Sequence, residues 1–151
     1  MILRMRQKWW KVGTLTVSSS LTKVLIDPGS THSFIRPGFV RKIGFKIKIL
    51  SYLMELSTLT GERKIETEKV CRNCMVMIGD RLYLTDLISL AINGYDIILG
   101  MDWLAQYYVQ LDCKSKEVSL NVPGELVIRL NFMKSRETLS LILGKKARKL
   151  L

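Results

Sequence analysis

A chain of 151 residues, 48% apolar and carrying a net charge of +11, has material for one ordinary domain with a modest core. Three cysteines are too few for a secreted disulfide framework. No apolar run approaches the roughly 20 residues of a membrane span, and the basic opening lacks the continuous apolar stretch of a signal peptide. These features point to a soluble intracellular protein, cytoplasmic by default, with no membrane partner. The charge is unevenly placed: residues 1–11 hold four basic and no acidic side chains, residues 129–151 hold seven basic against Glu137, and residues 12–128 are close to neutral. Basic arms of this kind can make weak phosphate contacts with nucleic acid, although solvated tails or linkers have the same composition.

In chain order, Val12 to Ile26 reads as two β-strands with Ser18-Ser19-Ser20 as the polar turn between them. Pro28 and Gly29 end the second strand. Phe34, Ile35, Phe39, Val40 and Ile43 have spacings that suit a short helix beginning near Pro37 and stopping at Gly44. From Ile47 to Leu90 the pattern is β-rich, with turn signals at Thr60-Gly61, Gly79-Asp80 and Asn93-Gly94. Tyr95–Leu99 reads as a buried strand and Met101 to Tyr108 as a short helix, with Asp102 placed to favour its N-terminal dipole. Leu111–Leu120 and Leu126–Leu130 read as closing strands. From Asn131 onward, leucines mixed with Lys and Arg give the pattern of a basic amphipathic tail.

The chemistry concentrates in Val24-Leu25-Ile26-Asp27-Pro28-Gly29-Ser30-Thr31-His32-Ser33-Phe34. A carboxylate at the mouth of a buried strand, with glycine two places on, can accept backbone N–H bonds and still face a cleft. That suits a general base activating water. About seventy residues on stands Asp96-Ile97-Ile98-Leu99-Gly100-Met101-Asp102-Trp103-Leu104. Between and around them lie Val12–Val17 (VGTLTV), Cys74–Gly79 (CMVMIG), Leu84–Leu90 (LTDLISL) and Leu111–Leu120 (LDCKSKEVSL). Together, in this order, the segments resemble the retropepsin-like aspartic proteases of gypsy-type LTR retrotransposons, plant type, from about Val12 to Ile128.

The resemblance implies a mainly β, retropepsin-like closed barrel with one or two short helices, its active site formed at a homodimer interface. It implies an aspartic endopeptidase in which Asp27, contributed once by each copy, is the catalytic carboxylate. Pro28, Gly29 and Ser30 form the active-site loop, Thr60 and Gly61 the flap, and Leu99, Gly100 and Asp102 the structural support beneath the loop. The substrate would be the Gag–Pol polyprotein, cut in the cytoplasm or in a virus-like particle. No metal or organic cofactor is implied. The expected organisation is a basic extension over 1–11, a protease domain over 12–130 and a basic tail over 131–151 leading toward a reverse transcriptase.

One position departs from the family pattern. Pro28 stands where the relatives carry Thr or Ser, whose hydroxyl and N–H lock the two active-site loops across the dimer axis; proline has neither donor and a fixed φ. A catalytically silent dimerisation or peptide-binding module is therefore an alternative, and a nucleic-acid-associated protein working through its basic ends is another. Cys71 and Cys74 fall in an expected strand, where residues three apart point to opposite faces, which argues against half a zinc site. His32, the only histidine, reads as a loop residue. Trp9, Trp10 and Trp103 read as packing residues.

Overall fold

Ser18 and Ser19 both take positive φ, 48° and 66°, giving a two-residue turn whose twist matches that of a β-hairpin. It joins β2 (Lys11–Val17) to β3 (Ser20–Ile26), paired from Lys11↔Ile26 to Val17↔Ser20. The computed structural model describes residues 2–3, 11–58, 64–78 and 80–132. Before this hairpin comes β1 (Ile2–Leu3). After it come β4 (Phe34–Ile35), α1 (Pro37–Ile43), β5 (Lys48–Thr58), β6 (Lys64–Ile78), β7 (Arg81–Ser89), β8 (Ile97–Leu99), α2 (Met101–Gln106), β9 (Val109–Asp112), β10 (Glu117–Leu120) and β11 (Ile128–Arg129). The fold is mainly β, as the resemblance implies.

Eight strands form one sheet in the order β1-β5-β6-β2-β3-β8-β4-β7, and a further β6–β7 ladder leads the last strand back to β6. Six strands thus follow one another in a cycle of ladders. A three-stranded sheet, β11-β10-β9, stands beside it. At the centre, β3 and β8 run parallel with Val24, Leu25 and Ile26 opposite Ile97, Ile98 and Leu99. Their alternate residues serve two cores. Val24, Ile26, Ile97 and Leu99 join the main cluster with Phe39, Trp103 and Leu120, whereas Leu25 and Ile98 join Phe34, Val70, Ile88, Leu90 and Ile92 on the other face. Burial on both faces explains why these strands are continuous apolar runs.

Several boundaries differ from the sequence expectation. Phe34 and Ile35 form a strand of their own, wedged between β7 and β8 and completing both ladders. The helix itself runs over Pro37–Ile43 as expected, capped by Gly44, whose φ of 75° is the left-handed conformation that glycine allows. The Tyr95–Leu99 strand shortens to Ile97–Leu99, and α2 stops at Gln106, before Tyr108 takes a φ of 51°. Packing of the domain continues to Phe132, which joins the main core's edge and lies where any side chain on Gly13 would stand (2.7 Å from the added carbon).

The Cys71–Cys74 expectation is corrected. The β6–β7 register shifts between these residues, Asn73 takes a φ of 49°, and its N–H donates to Asp86 Oδ1 at 2.7 Å. That one-residue bulge reverses the in–out alternation. Both thiols therefore face inward and are buried. Burial and the neighbouring Cys74 push the Cys71 thiol up to about 12.

Candidate active site

Asp27 follows directly on β3, whose last residues are fixed by β8. Its N–H donates to Leu99 O at 3.0 Å, so the pairing with β8 extends one residue beyond the end of β3. The chain then turns: Ser30 N–H donates to Asp27 O at 3.1 Å, closing a four-residue turn with Pro28 second and Gly29 third. Proline's fixed φ suits the second position of such a turn, so Pro28 is compatible with the loop within one chain. Gly29 N–H donates to Asp27 Oδ1 at 2.9 Å, a bond that aims the carboxylate back over its own turn. Asp27 is only 1% exposed in the single chain. Tyr95, half-buried, stands near enough that burial, and secondly the Asp27 charge, raise its phenol.

The loop is held from below by the start of α2. The first turn of a helix has N–H groups without partners inside the helix. Here Met101 N–H donates to Ser30 O at 2.7 Å and Asp102 N–H to Thr31 O at 3.2 Å. Such contact needs the backbones close together: a Cβ on Gly100 would stand 2.6 Å from Ser30 O and closer still to His32 O. The φ of Gly100, −101°, is open to any residue, so the requirement is space and not conformation. A side-chain relay completes the junction. Gly100 N–H donates to Ser33 Oγ at 3.0 Å, Ser33 Oγ donates to Asp102 Oδ1 at 2.7 Å, and Trp103 N–H donates to the same Oδ1 at 2.8 Å. Ser30 Oγ, fully buried, donates to His32 O at 2.8 Å.

The base beneath this junction is braced further. Trp103, Tyr83 and Tyr107 pack edge-on and tilted, with ring centres 5.0 to 5.8 Å apart, and Tyr107 O–H donates to Leu84 O at 2.7 Å. On the other flank, Asp96 accepts from Lys23 N–H at 2.9 Å and from Arg36 at 2.7 Å. This clamps the approach to β8 against β3 and the entry to α1. In the sequence, Asp96 and Ser33 stand within the two motifs without either being assigned a bond. Neither role has a local signal, because each partner lies 60 or more positions away.

The structure therefore brings Asp27, Pro28, Gly29, Ser30, Leu99, Gly100 and Asp102 into one junction. His32 is exposed at its rim, with Nδ1 2.8 Å from Thr31 Oγ1. Thr60 and Gly61 lie outside the described residues, as do 133–151 and most of 1–11. The strands leading to the tip, β5 and β6, are described, and Leu50 on β5 packs against the Leu25, Phe34 and Ile98 cluster next to Asp27. Among the described residues no three His, Cys, Asp or Glu side chains converge as metal ligands, and no helix is long and apolar enough to cross a membrane.

Residues 9–125 match the family described as retroviral aspartyl protease. The chain belongs to that family. Solved structures agree in fold. The retroviral protease-like domain of Ddi1 from Leishmania major is 14% identical with a TM-score of 0.63, over 87% of this chain and 99% of that one. EIAV protease complexed with the inhibitor HBY-793 is 15% identical with a TM-score of 0.53, over 73% and 99%. No curated protein sequence matches.

Proposed function

We propose that this chain is an aspartic endopeptidase that works as a homodimer, each copy contributing Asp27 to one shared site. The observation that carries this reading is the Asp27 turn. A single carboxylate is fixed at a strand end, oriented by the Gly29 N–H and strapped to the N-terminal turn of α2, in a chain of this family. Hydrolysis of a peptide by acid–base catalysis needs two carboxyl groups facing one water. Two carboxylates about 3 Å apart share one proton. The ionised one takes the water's proton as the oxygen attacks the carbonyl carbon, and the protonated one donates to the carbonyl oxygen. One copy of this chain supplies one such Asp, so the second comes from a second copy across a two-fold axis.

Substrate would lie as an extended strand between the Asp27 loops and the β5–β6 hairpins, held by main-chain hydrogen bonds. The polyprotein of a gypsy-type retrotransposon is the substrate that the sequence resemblance favours.

Pro28 bears on how strongly the copies associate. It fits its own turn but offers no N–H and no hydroxyl to a second loop. At about 0.5–1.5 kcal/mol per hydrogen bond, doubled by symmetry, its presence weakens the dimer by roughly ten- to a thousandfold. This one residue favours the second reading, a silent dimerisation or peptide-binding module. The test is cleavage of a Gag–Pol-derived peptide near pH 5 by concentrated protein, with sedimentation on the same samples. Activity should climb steeply with protein concentration and fall by at least about a thousandfold in Asp27→Asn. Pro28→Thr should tighten association with little change in the stability of the single chain. A confirmed dimer that does not cleave sinks the enzyme and leaves the silent module.

A further inference from the structure

The first strand sits far from the strand that follows it. β1 runs parallel to β5, Ile2 opposite Ser57 and Leu3 opposite Thr58. β5 pairs with β6 along its other side, so β1 takes the outer edge of the hairpin. It does so at the last two residues of β5, farthest from the start of that strand. An open strand edge, with its row of N–H and C=O groups, is where an extended peptide adds to a sheet. In the proposed enzyme that same edge is available to substrate.

Seven residues, 4 to 10, join β1 to β2. Tethering raises the local concentration of such a segment to the millimolar range, so it outcompetes a dilute free peptide of equal intrinsic affinity.

We propose that Ile2–Leu3 is a built-in competitor, which pairs with the outer edge of β5 and keeps extended peptides off it until it is removed or displaced. The pairing stands on the strand geometry alone; its consequence for catalysis rests on the protease reading. Two ladder positions correspond to a three- to thirtyfold effect, at about one to two net hydrogen bonds.

The test compares the whole chain with a form lacking residues 1–3 and with the double substitution Ile2→Pro and Leu3→Pro, which removes two backbone donors without shortening the chain. Amide exchange around Ser57 and Thr58 should speed up by about three- to thirtyfold in both variants. A labelled peptide with the sequence of residues 1–8 should bind both more tightly than it binds the whole chain, by a similar factor. In active preparations, KM for a peptide substrate should fall with kcat little changed. Unaltered exchange overturns the pairing whatever the activity. Faster exchange with unaltered peptide affinity overturns the competitor role. Exchange in the whole chain that slows with protein concentration places the strand on another copy and overturns the built-in arrangement. A chain inactive in every form sinks the protease reading, while exchange and peptide binding still decide the inference.

Discussion

The Asp27 loop and the β5–β6 hairpin differ in how many directions hold them. The loop is tied to the end of β8 through Leu99, to the first turn of α2 through Ser30 and Thr31, and to Asp102 through Ser33. The half of the hairpin nearer its tip is tied chiefly to itself, whereas β6 from Val70 onward is laddered to β7. β5 meets β6 along one side with a register shift between Ile49 and Met54, and at its far end its other neighbour is the two-residue β1. Ile49 and Tyr52 on β5 are exposed, whereas every residue of β8 is buried. In the proposed enzyme the reactive group must be fixed, and the segment that admits a polypeptide must open. The two parts differ in that sense, one over-determined by hydrogen bonds from several elements and the other, toward its tip, held by local pairing.

The contrast can be broken most forcefully at Gly100. Gly100→Ala places a methyl group against the carbonyls of Ser30 and His32, so the loop and α2 must separate. We expect a loss of about 2–4 kcal/mol in unfolding free energy and, in the proposed enzyme, loss of activity beyond what instability explains. Urea unfolding at fixed pH measures the first. Wild-type stability in this variant would mean that the loop is not held by close approach.

A smaller effect should come from Ser33→Ala, which leaves the Gly100 N–H without its acceptor and Asp102 without one donor. About 1–3 kcal/mol is expected, and Ser33→Thr should restore most of it if the methyl group fits. Substitutions on the outer face of the hairpin, such as Tyr52→Ala, should by contrast stay within about 0.5 kcal/mol. Equal losses at Ser33 and Tyr52 would erase the distinction between the two regions.

Another small effect sharpens the comparison at the root of the hairpin, where the β6 bulge turns Cys71 and Cys74 inward. Native protein should react with a disulfide reagent at the exposed Cys113 and only slowly at the other two. Asp86→Ala removes the acceptor for Asn73 N–H and should cost about 0.5–1 kcal/mol while speeding the labelling of the buried pair. With its thiol raised from 9.0 to about 12, Cys71 ionises first in the unfolded chain. Its contribution to stability is thus complete below about pH 9 and declines as pH rises toward 12. A melting temperature that rises across that window in a Cys71-dependent way contradicts burial of this thiol.

Much of the site was legible in the residues themselves. The apolar run ending in Asp27, the Pro-Gly turn and the Ile98-Leu99-Gly100 segment announce a carboxylate at a strand mouth and a glycine under it, because strand burial and turn chemistry are local properties. Helix boundaries at Pro37 and Gly44 were legible for the same reason. The short strand at Phe34 and Ile35 was not recognised, because two apolar residues ahead of a helix carry no strand pattern and only the slot between β7 and β8 makes them one. That Cys71 and Cys74 turn inward together was hidden because a bulge is a property of a ladder and not of one strand.

What this sequence determined by itself is therefore the set of local decisions: which segments extend, where they turn, and which carboxylate ends up at a turn. The tertiary structure alone decided the bonds from Ser33 to Asp102, from Asp96 to Arg36 and from Ile2–Leu3 to the end of β5. Each joins residues 55 or more positions apart. Pattern and propensity act over a few residues, whereas a hydrogen bond between distant segments exists only after the sheet has brought them to within 3 Å.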